Sequence, residues 1–169
     1  ELQRMKTEAP PERAEEDQIL EAQQASVALY FIIETDEESY LAPELRKISS
    51  RENLPVIALQ ELIAGPQRKE LKPVLPSNTK VLGVEIEDGL AVINLSQAAT
   101  RSSGGAWREA LTVSAVVNTL TKFPEVEAVR ILIEGKEVET LCGHVDLTHP
   151  LRRNEQVVKV EFPNKETES

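Results

Sequence analysis

Sulfur-containing and aromatic side chains are nearly absent from this sequence. Cys142 is the only cysteine, so the chain cannot form an intramolecular disulfide bond. Aromatic residues make up 4% of the chain, which leaves few rings for stacking on nucleic-acid bases or on sugars. We therefore expect an aliphatic core and no glycan-binding site.

Basic residues and long apolar runs are also scarce. The 19 Lys and Arg residues are outnumbered by 29 Asp and Glu residues, which gives a net charge of −10. Nucleic-acid-binding surfaces need clustered positive charge, so we expect no nucleic-acid partner. No apolar run approaches the roughly 18 residues that a membrane span requires. Because the sequence begins with Glu1, we interpret it as a processed or trimmed product.

Charged segments flank a single predicted domain. The length of 169 residues is within the usual range for one domain. Residues 1–25 are predicted to be a disordered, charged linker, because they have too few apolar side chains to offset the entropy cost of ordering. Residues 163–169 are predicted to be a disordered tail for the same reason. The folded unit is expected at residues 26–162.

Apolar periodicity predicts the strands. Residues 27–33 form a near-continuous apolar run, which is typical of a buried strand. Pro43 lacks an N–H, so a strand at residues 40–43 is expected at a sheet edge. Asp88-Gly89 predicts a tight hairpin, and Leu82, Val84 and Ile86 are expected to share one face of its first strand. The remaining strands are predicted at residues 80–87, 90–95, 126–133, 138–141 and 156–162.

Two helices are predicted between these strands. Asn53 is expected to cap the first, which Gly65-Pro66 ends. The second is predicted at residues 105–122, with a core-facing stripe formed by Ala106, Ala110, Val113, Val117 and Leu120 and widened by Trp107 and Leu111. The resulting order, β-α-β-β-α-β-β, predicts an α+β fold in which both helices pack on one face of a small mixed or antiparallel sheet.

Seven short segments follow one another in a characteristic order along the predicted domain. They lie at residues 27–33, 62–66, 75–82, 89–96, 116–124, 131–136 and 143–147, and include the stretch Asn-Thr-Leu-Thr-x-Phe-Pro at residues 118–124. Together they resemble the GerMN domain, which is named for a spore germination and sporulation protein of endospore-forming bacteria. The resemblance extends over nearly the whole folded unit.

The resemblance implies a location and a type of function. Domains of this family lie outside the cytoplasmic membrane on lipoproteins or membrane-anchored chains, so an N-terminal anchor would precede these residues. Their fold resembles the ring-building motifs of secretion systems. The resemblance therefore implies a non-enzymatic protein-binding or assembly role in sporulation or germination, with an envelope protein or a second copy as partner. It supplies no catalytic residue and no cofactor.

Cys142, His144, Asp146 and His149 form the sharpest local group of chemically reactive side chains. If residues 142–146 were extended, the first three would share one face. Thiolate, imidazole and carboxylate groups all bind zinc, so these four residues are the candidate metal ligands. We favour the alternative, in which His144 and Asp146 hydrogen-bond the backbone, because GerMN domains commonly have glycine near position 142 and no histidine near position 149.

Three functions follow from these observations. The first is a non-enzymatic envelope module that binds another protein or itself through a sheet edge or helix face. The second is a ligand- or signal-sensing domain of an envelope lipoprotein, and the third is a metal-dependent enzyme that uses His144 and Asp146. A hydrolase built from Ser103, His144 and Asp146 is disfavoured, because the sequence has no Gly-x-Ser-x-Gly motif. We predict the first function, with no catalytic residue.

Overall fold

The computed structural model describes residues 14–16, 18, 24–102 and 104–160. From residue 24 onward, the strands and helices are β1 (Ala25–Glu34), β2 (Ser39–Ile48), α1 (Leu54–Ala64), β3 (Leu71–Lys72), β4 (Val81–Glu87), β5 (Leu90–Leu95), α2 (Gly105–Leu120), β6 (Ala128–Ile133) and β7 (Lys136–Glu137). Short 3-10 helices span Gln97–Arg101 and Glu155–Val157. The predicted tail lies outside the described residues, as does most of the predicted linker, of which residues 14–16 and 18 are helical.

The strands form two sheets, where one was predicted. The first sheet is antiparallel with the order β2-β1-β3, and the second is mixed with the order β4-β5-β6-β7, in which β5 and β6 are parallel. The α+β class is confirmed, and the predicted element order is recovered when β2 and the two-residue β3 are set aside. Pro43 lies on β2, at the edge of the first sheet, as predicted.

Both helices contact strands of both sheets. α1 packs on β1 and β4, α2 packs on β1 and β6, and the helices contact each other. The core is aliphatic, as predicted: Phe31 is the only aromatic residue among the largest fully buried side chains. Each fully buried Leu, Ile or Val side chain contributes on the order of 1.5–3 kcal/mol through loss of apolar surface to water. The helices therefore join the two sheets into one hydrophobic core.

The β4–β5 hairpin has the predicted turn but an unpredicted bulge. Asp88 and Gly89 both have positive φ angles, 54° and 83°, as a type I′ turn requires. The pairing register shifts between Val81 and Gly83, because an extra residue interrupts the alternation. Leu82 is 47% exposed as a result. Val84 and Ile86 pack against the core, so the prediction that Leu82 shares their face is wrong.

Both helices differ from the predictions at their first turns. Asn53 precedes α1 with a φ of 55° and makes no side-chain capping hydrogen bond, so its predicted cap is wrong. Gly65 ends α1 as predicted, with a φ of 102°. In α2, Ala106 and Trp107 are exposed and burial begins at Glu109. The predicted core-facing stripe therefore starts one turn later, and Trp107 lies outside it.

The C-terminal strap, residues 151–160, replaces the strand predicted at residues 156–162. Glu155–Val157 form a 3-10 helix, and Val158 makes a single parallel bridge to Leu41 of β2. Three hydrogen bonds to Asn118 hold the strap to α2. Asn118 Nδ2 donates to Asn154 O at 2.8 Å, Asn154 N donates to Asn118 Oδ1 at 2.9 Å, and Arg153 Nη1 donates to Asn118 O at 2.7 Å. The strand prediction fails within residues 156–160 because the Asn154 side chain accepts the Gln156 N–H and starts the 3-10 helix.

Candidate functional site

The segment that carries the predicted metal ligands is a bent loop. β7 ends at Glu137, and the strand predicted at residues 138–141 is reduced to one antiparallel bridge between Thr140 and Asp146. Residues 141–145 are bends. Gly143, in their middle, has a φ of 111°, which glycine adopts without strain. The extended conformation that would align three candidate ligands is therefore not formed.

The loop is organised around the carboxylate of Glu109 from α2. This side chain is 2% exposed. The backbone N–H groups of Cys142, His144 and Val145 donate to it at 2.9, 3.1 and 2.9 Å. His144 Nδ1 lies 2.9 Å from Oε1 of the same carboxylate. Four nitrogen atoms of one short loop thus surround a single buried carboxylate.

These contacts keep Glu109 ionised. Burial alone would raise the pKa of this carboxyl, but the hydrogen bonds from the Val145 and Cys142 N–H groups and from His144 outweigh it and lower the pKa below its ordinary value. A carboxylate that accepts several backbone N–H bonds occupies the position that an anion would take in a loop of this kind. The Glu109 carboxylate therefore occupies the loop N–H groups that could otherwise bind an anion.

The other predicted ligands lie in separate environments. The Sγ of Cys142 donates to the Thr100 carbonyl oxygen at 3.5 Å, and burial together with the Glu109 charge raises the pKa of the thiol. Because its pKa is raised, the Cys142 thiol is a poor nucleophile at neutral pH. Asp146 accepts hydrogen bonds from Thr148 N and Oγ1 at 2.9 and 2.6 Å, and its Oδ2 lies 3.5 Å from His149 Nδ1.

The four candidate metal ligands do not converge on one point within the described part of the chain. The described residues contain no group of three or more His, Cys, Asp or Glu side chains that could hold a metal ion. The hydrolase hypothesis requires Asp146 to orient His144, but Glu109 orients it instead. Ser103, the nucleophile of that hypothesis, lies outside the described residues. The alternative, in which His144 and Asp146 hydrogen-bond the backbone, holds for Asp146, which accepts the Thr148 N–H. The His144 ring instead contacts the Glu109 side chain.

A second region, on β2, inverts the expected pattern of burial. Glu44 and Arg46 are only 4% and 7% exposed, whereas Leu45 between them is 75% exposed. A leucine between two charged residues would ordinarily be assigned to the buried face of a strand. The structure places the two charges inside and the leucine in solvent.

The charged neighbours of Leu45 are held by the end of α1. Arg46 forms an ion pair with Glu44, and its Nη atoms donate to Glu61 Oε1 at 2.8 Å and to the Gly65 carbonyl oxygen at 3.0 Å. Burial opposes the ionisation of Glu44, but hydrogen bonds from Arg46 and from two backbone N–H groups after α1 lower its pKa. Since β2 side chains alternate between faces, burying this pair forces Leu45 outward.

Leu45 stands between two shallow grooves of about 700 and 690 Å³. We call the first of these the Leu45 groove. It lies between the starts of β1 and α1, β2 and the turn after α2. Among the described residues no acidic side chain lines the Leu45 groove, and its lining includes apolar residues (Ala28, Leu54, Phe123) and basic ones (Lys47, Arg51, Lys122). An apolar floor with a cationic rim is unusual in a chain of net charge −10.

Sequence reasoning missed Glu109 and Leu45 for different reasons. Glu109 falls three residues after Ala106 and four before Val113, which places a carboxylate on the predicted core-facing stripe. This spacing indicates a buried carboxylate that needs a partner. Leu45 gave none, because its exposure depends on a partner for Arg46 that lies 15 to 19 residues further along the chain.

Comparisons with known proteins identify relatives of the chain. The profile of a family described as Germane, sporulation and spore germination, matches residues 28–139. The spore germination protein GerM of Bacillus subtilis (strain 168) is 24% identical over 136 residues, which are 78% of this chain and 37% of that protein. The chain therefore spans well under half of that relative's length.

Solved structures give the same answer. A candidate lipoprotein from Clostridium perfringens is 30% identical with a TM-score of 0.57, over 79% of this chain and 91% of that one. The first GerMN domain of the sporulation protein GerM from B. subtilis is 25% identical with a TM-score of 0.65, over 76% of this chain and 98% of that one. The predicted likeness to GerMN domains is confirmed, and none of these relatives is named for an enzymatic activity.

Proposed function

The chain belongs to the Germane family of sporulation and spore germination, and from this premise we propose that it is a non-enzymatic, protein-binding module of the cell envelope. Its similarity to GerM and to a candidate lipoprotein supports a place outside the cytoplasmic membrane. In the proposal the full-length protein carries an N-terminal lipid or membrane anchor. Its partner is another envelope protein or a second copy of the chain.

The exposure of Leu45 carries the proposal. A single exposed leucine is ordinary on a protein surface, but this one is turned outward at the cost of burying a carboxylate and a guanidinium. Burying such a pair is seldom more stabilising than apolar packing. An arrangement that presents an apolar side chain on a sheet edge in this way suits recognition of another protein.

The closed loop supports a function without catalysis. The imidazole of His144 and the carboxylate of Glu109 bond to each other, and the loop N–H groups are occupied by that carboxylate. The Cys142 thiol is held protonated. Glu109 and His144 are thus engaged in holding the loop on α2, and the Cys142 thiol bonds to the Thr100 carbonyl oxygen.

Genetic complementation in the bacterium that encodes this chain tests the proposal. Deletion of the gene is expected to lower the yield of heat-resistant spores or their rate of germination. The wild-type gene and the His144→Ala variant should both restore the phenotype, because no chemistry is assigned to the imidazole. Leu45→Glu should fail to restore it although the protein accumulates normally.

Leu82→Glu is the matched control, since Leu82 is an exposed leucine on the other sheet, and it should complement fully. Full complementation by Leu45→Glu would refute the proposed binding surface, and a loss of function in His144→Ala at normal protein levels would revive catalysis. Fractionation and protease accessibility of the full-length protein in intact cells test the proposed location. A cytoplasmic, protease-protected protein would contradict it.

A further inference from the structure

The outer edge of β2 has backbone groups that point away from the sheet. The C=O of Leu41 accepts the N–H of Lys159, in the strap, at 2.8 Å. This bond lies on the side of β2 opposite β1. Because the backbone groups of successive strand residues alternate between the two sides, those of Pro43, Leu45 and Lys47 also point outward.

Only the first part of this edge is covered within the described part of the chain. The strap bridges β2 at Leu41, and Pro43 has no N–H to offer. Leu45 and Lys47 make no outward hydrogen bond to any described residue. The edge is therefore protected at one end, as natural edge strands are, and open over a short stretch at the other.

The side chains beside this stretch define the chemistry of a partner. Leu45 pairs across the sheet with Ala28 and Lys47 with Ser26, so the open edge passes directly into the Leu45 groove. Lys47 and Lys122 are both exposed there, and among the described lining residues no carboxylate neutralises them. A partner that contacts this groove would bring apolar and negatively charged groups together.

We propose that the open edge and the Leu45 groove bind an extended, acidic segment of a partner protein by strand addition. The inference rests on the proposed protein-binding function and adds the chemistry of the partner. The segment pairs its backbone with Leu45 and Lys47, whose side chains share one face of β2. On that face it places an apolar side chain beside Leu45 and, two residues away, a carboxylate near Lys47 and Lys122. Backbone pairing gives affinity in this mode, and the side-chain pockets give specificity.

Strand addition accounts for more of the geometry than an anionic lipid surface does. A lipid headgroup would engage the two lysines but would leave the outward N–H and C=O groups of Leu45 and Lys47 unpaired. The experiment keeps lipid binding and self-association as outcomes that overturn the proposal.

Titration of the full 169-residue chain with defined peptides tests the proposal by NMR. The probe is a terminally blocked peptide of six residues, Thr-Val-Thr-Glu-Thr-Val, in which Val and Glu stand two residues apart and so share one face of a strand. It should shift the backbone amide signals of Leu45 and Lys47. The same peptide with Lys in place of Glu should bind at least tenfold more weakly, and so should the Glu peptide with alternate backbone nitrogens methylated, since methylation removes the donors of one strand edge.

Charge reversal separates the two lysines from general electrostatics. Lys47→Glu combined with Lys122→Glu should lower the affinity for the Glu peptide at least tenfold and reverse the preference toward the Lys peptide. Lys80→Glu combined with Lys136→Glu changes the net charge by the same amount at two exposed positions, one just before β4 and one on β7. This control pair should alter the affinity less than twofold.

Several results would overturn the inference. The acidic and basic peptides could bind equally well, or the amide shifts could be confined to other surfaces. Phosphatidylglycerol vesicles could shift the Leu45 and Lys47 amide signals although the peptide does not. The chain could also form a concentration-dependent dimer that buries Leu45. If Leu45→Glu fails to complement while the Lys47 and Lys122 reversal complements fully, the acidic partner is wrong and the protein-binding function stands. If Leu45→Glu complements, the proposed function itself fails.

Discussion

The loop around Glu109 and the outer edge of β2 treat their backbone polar groups in opposite ways. In the loop, three N–H groups and an imidazole converge on one buried carboxylate. At the edge, the outward groups of Leu45 and Lys47 have no partner among the described residues. The first region is built from residues that look catalytic, and the second from a leucine and a lysine. Glu109 and His144 hold the loop through internal contacts, and the strand edge is the surface that we propose for binding.

Removal of the Glu109 carboxylate is expected to give the largest effect. Glu109→Ala leaves the N–H groups of Cys142, His144 and Val145 without their acceptor, and hydrogen bonds to charged groups contribute about 1.5–3 kcal/mol each but not additively. We expect the free energy of unfolding in urea to fall by about 3 kcal/mol. Hydrogen exchange of the three loop amides should accelerate strongly.

Glu137→Ala is the control for this variant, because the Glu137 side chain is 75% exposed and pairs only at the surface with Arg130. Surface ion pairs contribute about 0–1 kcal/mol. Equal losses in the two variants would show that the Glu109 carboxylate does not organise the loop, and the contrast with the β2 edge would disappear.

The pH dependence of stability should show a smaller effect of the same carboxylate. The folded-state pKa of Glu109 is lowered below 4.5, so its stabilising contribution is full above the unfolded-state value and is lost as the pH falls through the folded-state value. One such group gives a slope of at most about 1.4 kcal/mol per pH unit. Wild type and Glu109→Gln should therefore converge in unfolding free energy as the pH falls below the ordinary pKa of a glutamate side chain.

Comparison with Glu109→Gln is needed because Glu44 also has a lowered pKa and contributes to the acid loss of both proteins. Subtraction of the two curves isolates Glu109. A constant difference across the acid range would mean that Glu109 titrates alike in the folded and unfolded chains, which would contradict its assigned role.

The parts of the fold that the sequence predicted are those fixed by short-range chemistry. Asp88-Gly89 makes its turn because both residues accept positive φ angles, and Gly65 ends α1 for a similar reason. Pro43 lies at an edge because it has no donor for a central strand. Each of these outcomes depends on backbone preferences within a few residues.

The parts that were missed depend on contacts between distant segments. Glu109 meets the loop more than 30 residues later, and Arg46 meets the end of α1. The alternating valines of residues 156–162 predicted a strand, but Asn118 holds Asn154 against α2, and Asn154 starts a 3-10 helix. Periodicity shows which faces of a segment can be buried, and it does not show which segment covers them.

The smallest effect on stability is expected at Leu45. With its side chain 75% exposed, Leu45→Glu should change the free energy of unfolding by no more than about 0.5 kcal/mol, as exposed substitutions usually do. Urea denaturation beside Leu82→Glu measures this. If Leu45→Glu instead destabilised the chain as much as Glu109→Ala, the leucine would be part of the structural core, and the inverted burial of β2 would need another explanation. A stable Leu45→Glu protein that no longer binds would separate the two regions cleanly, since one maintains the fold and the other contacts the partner.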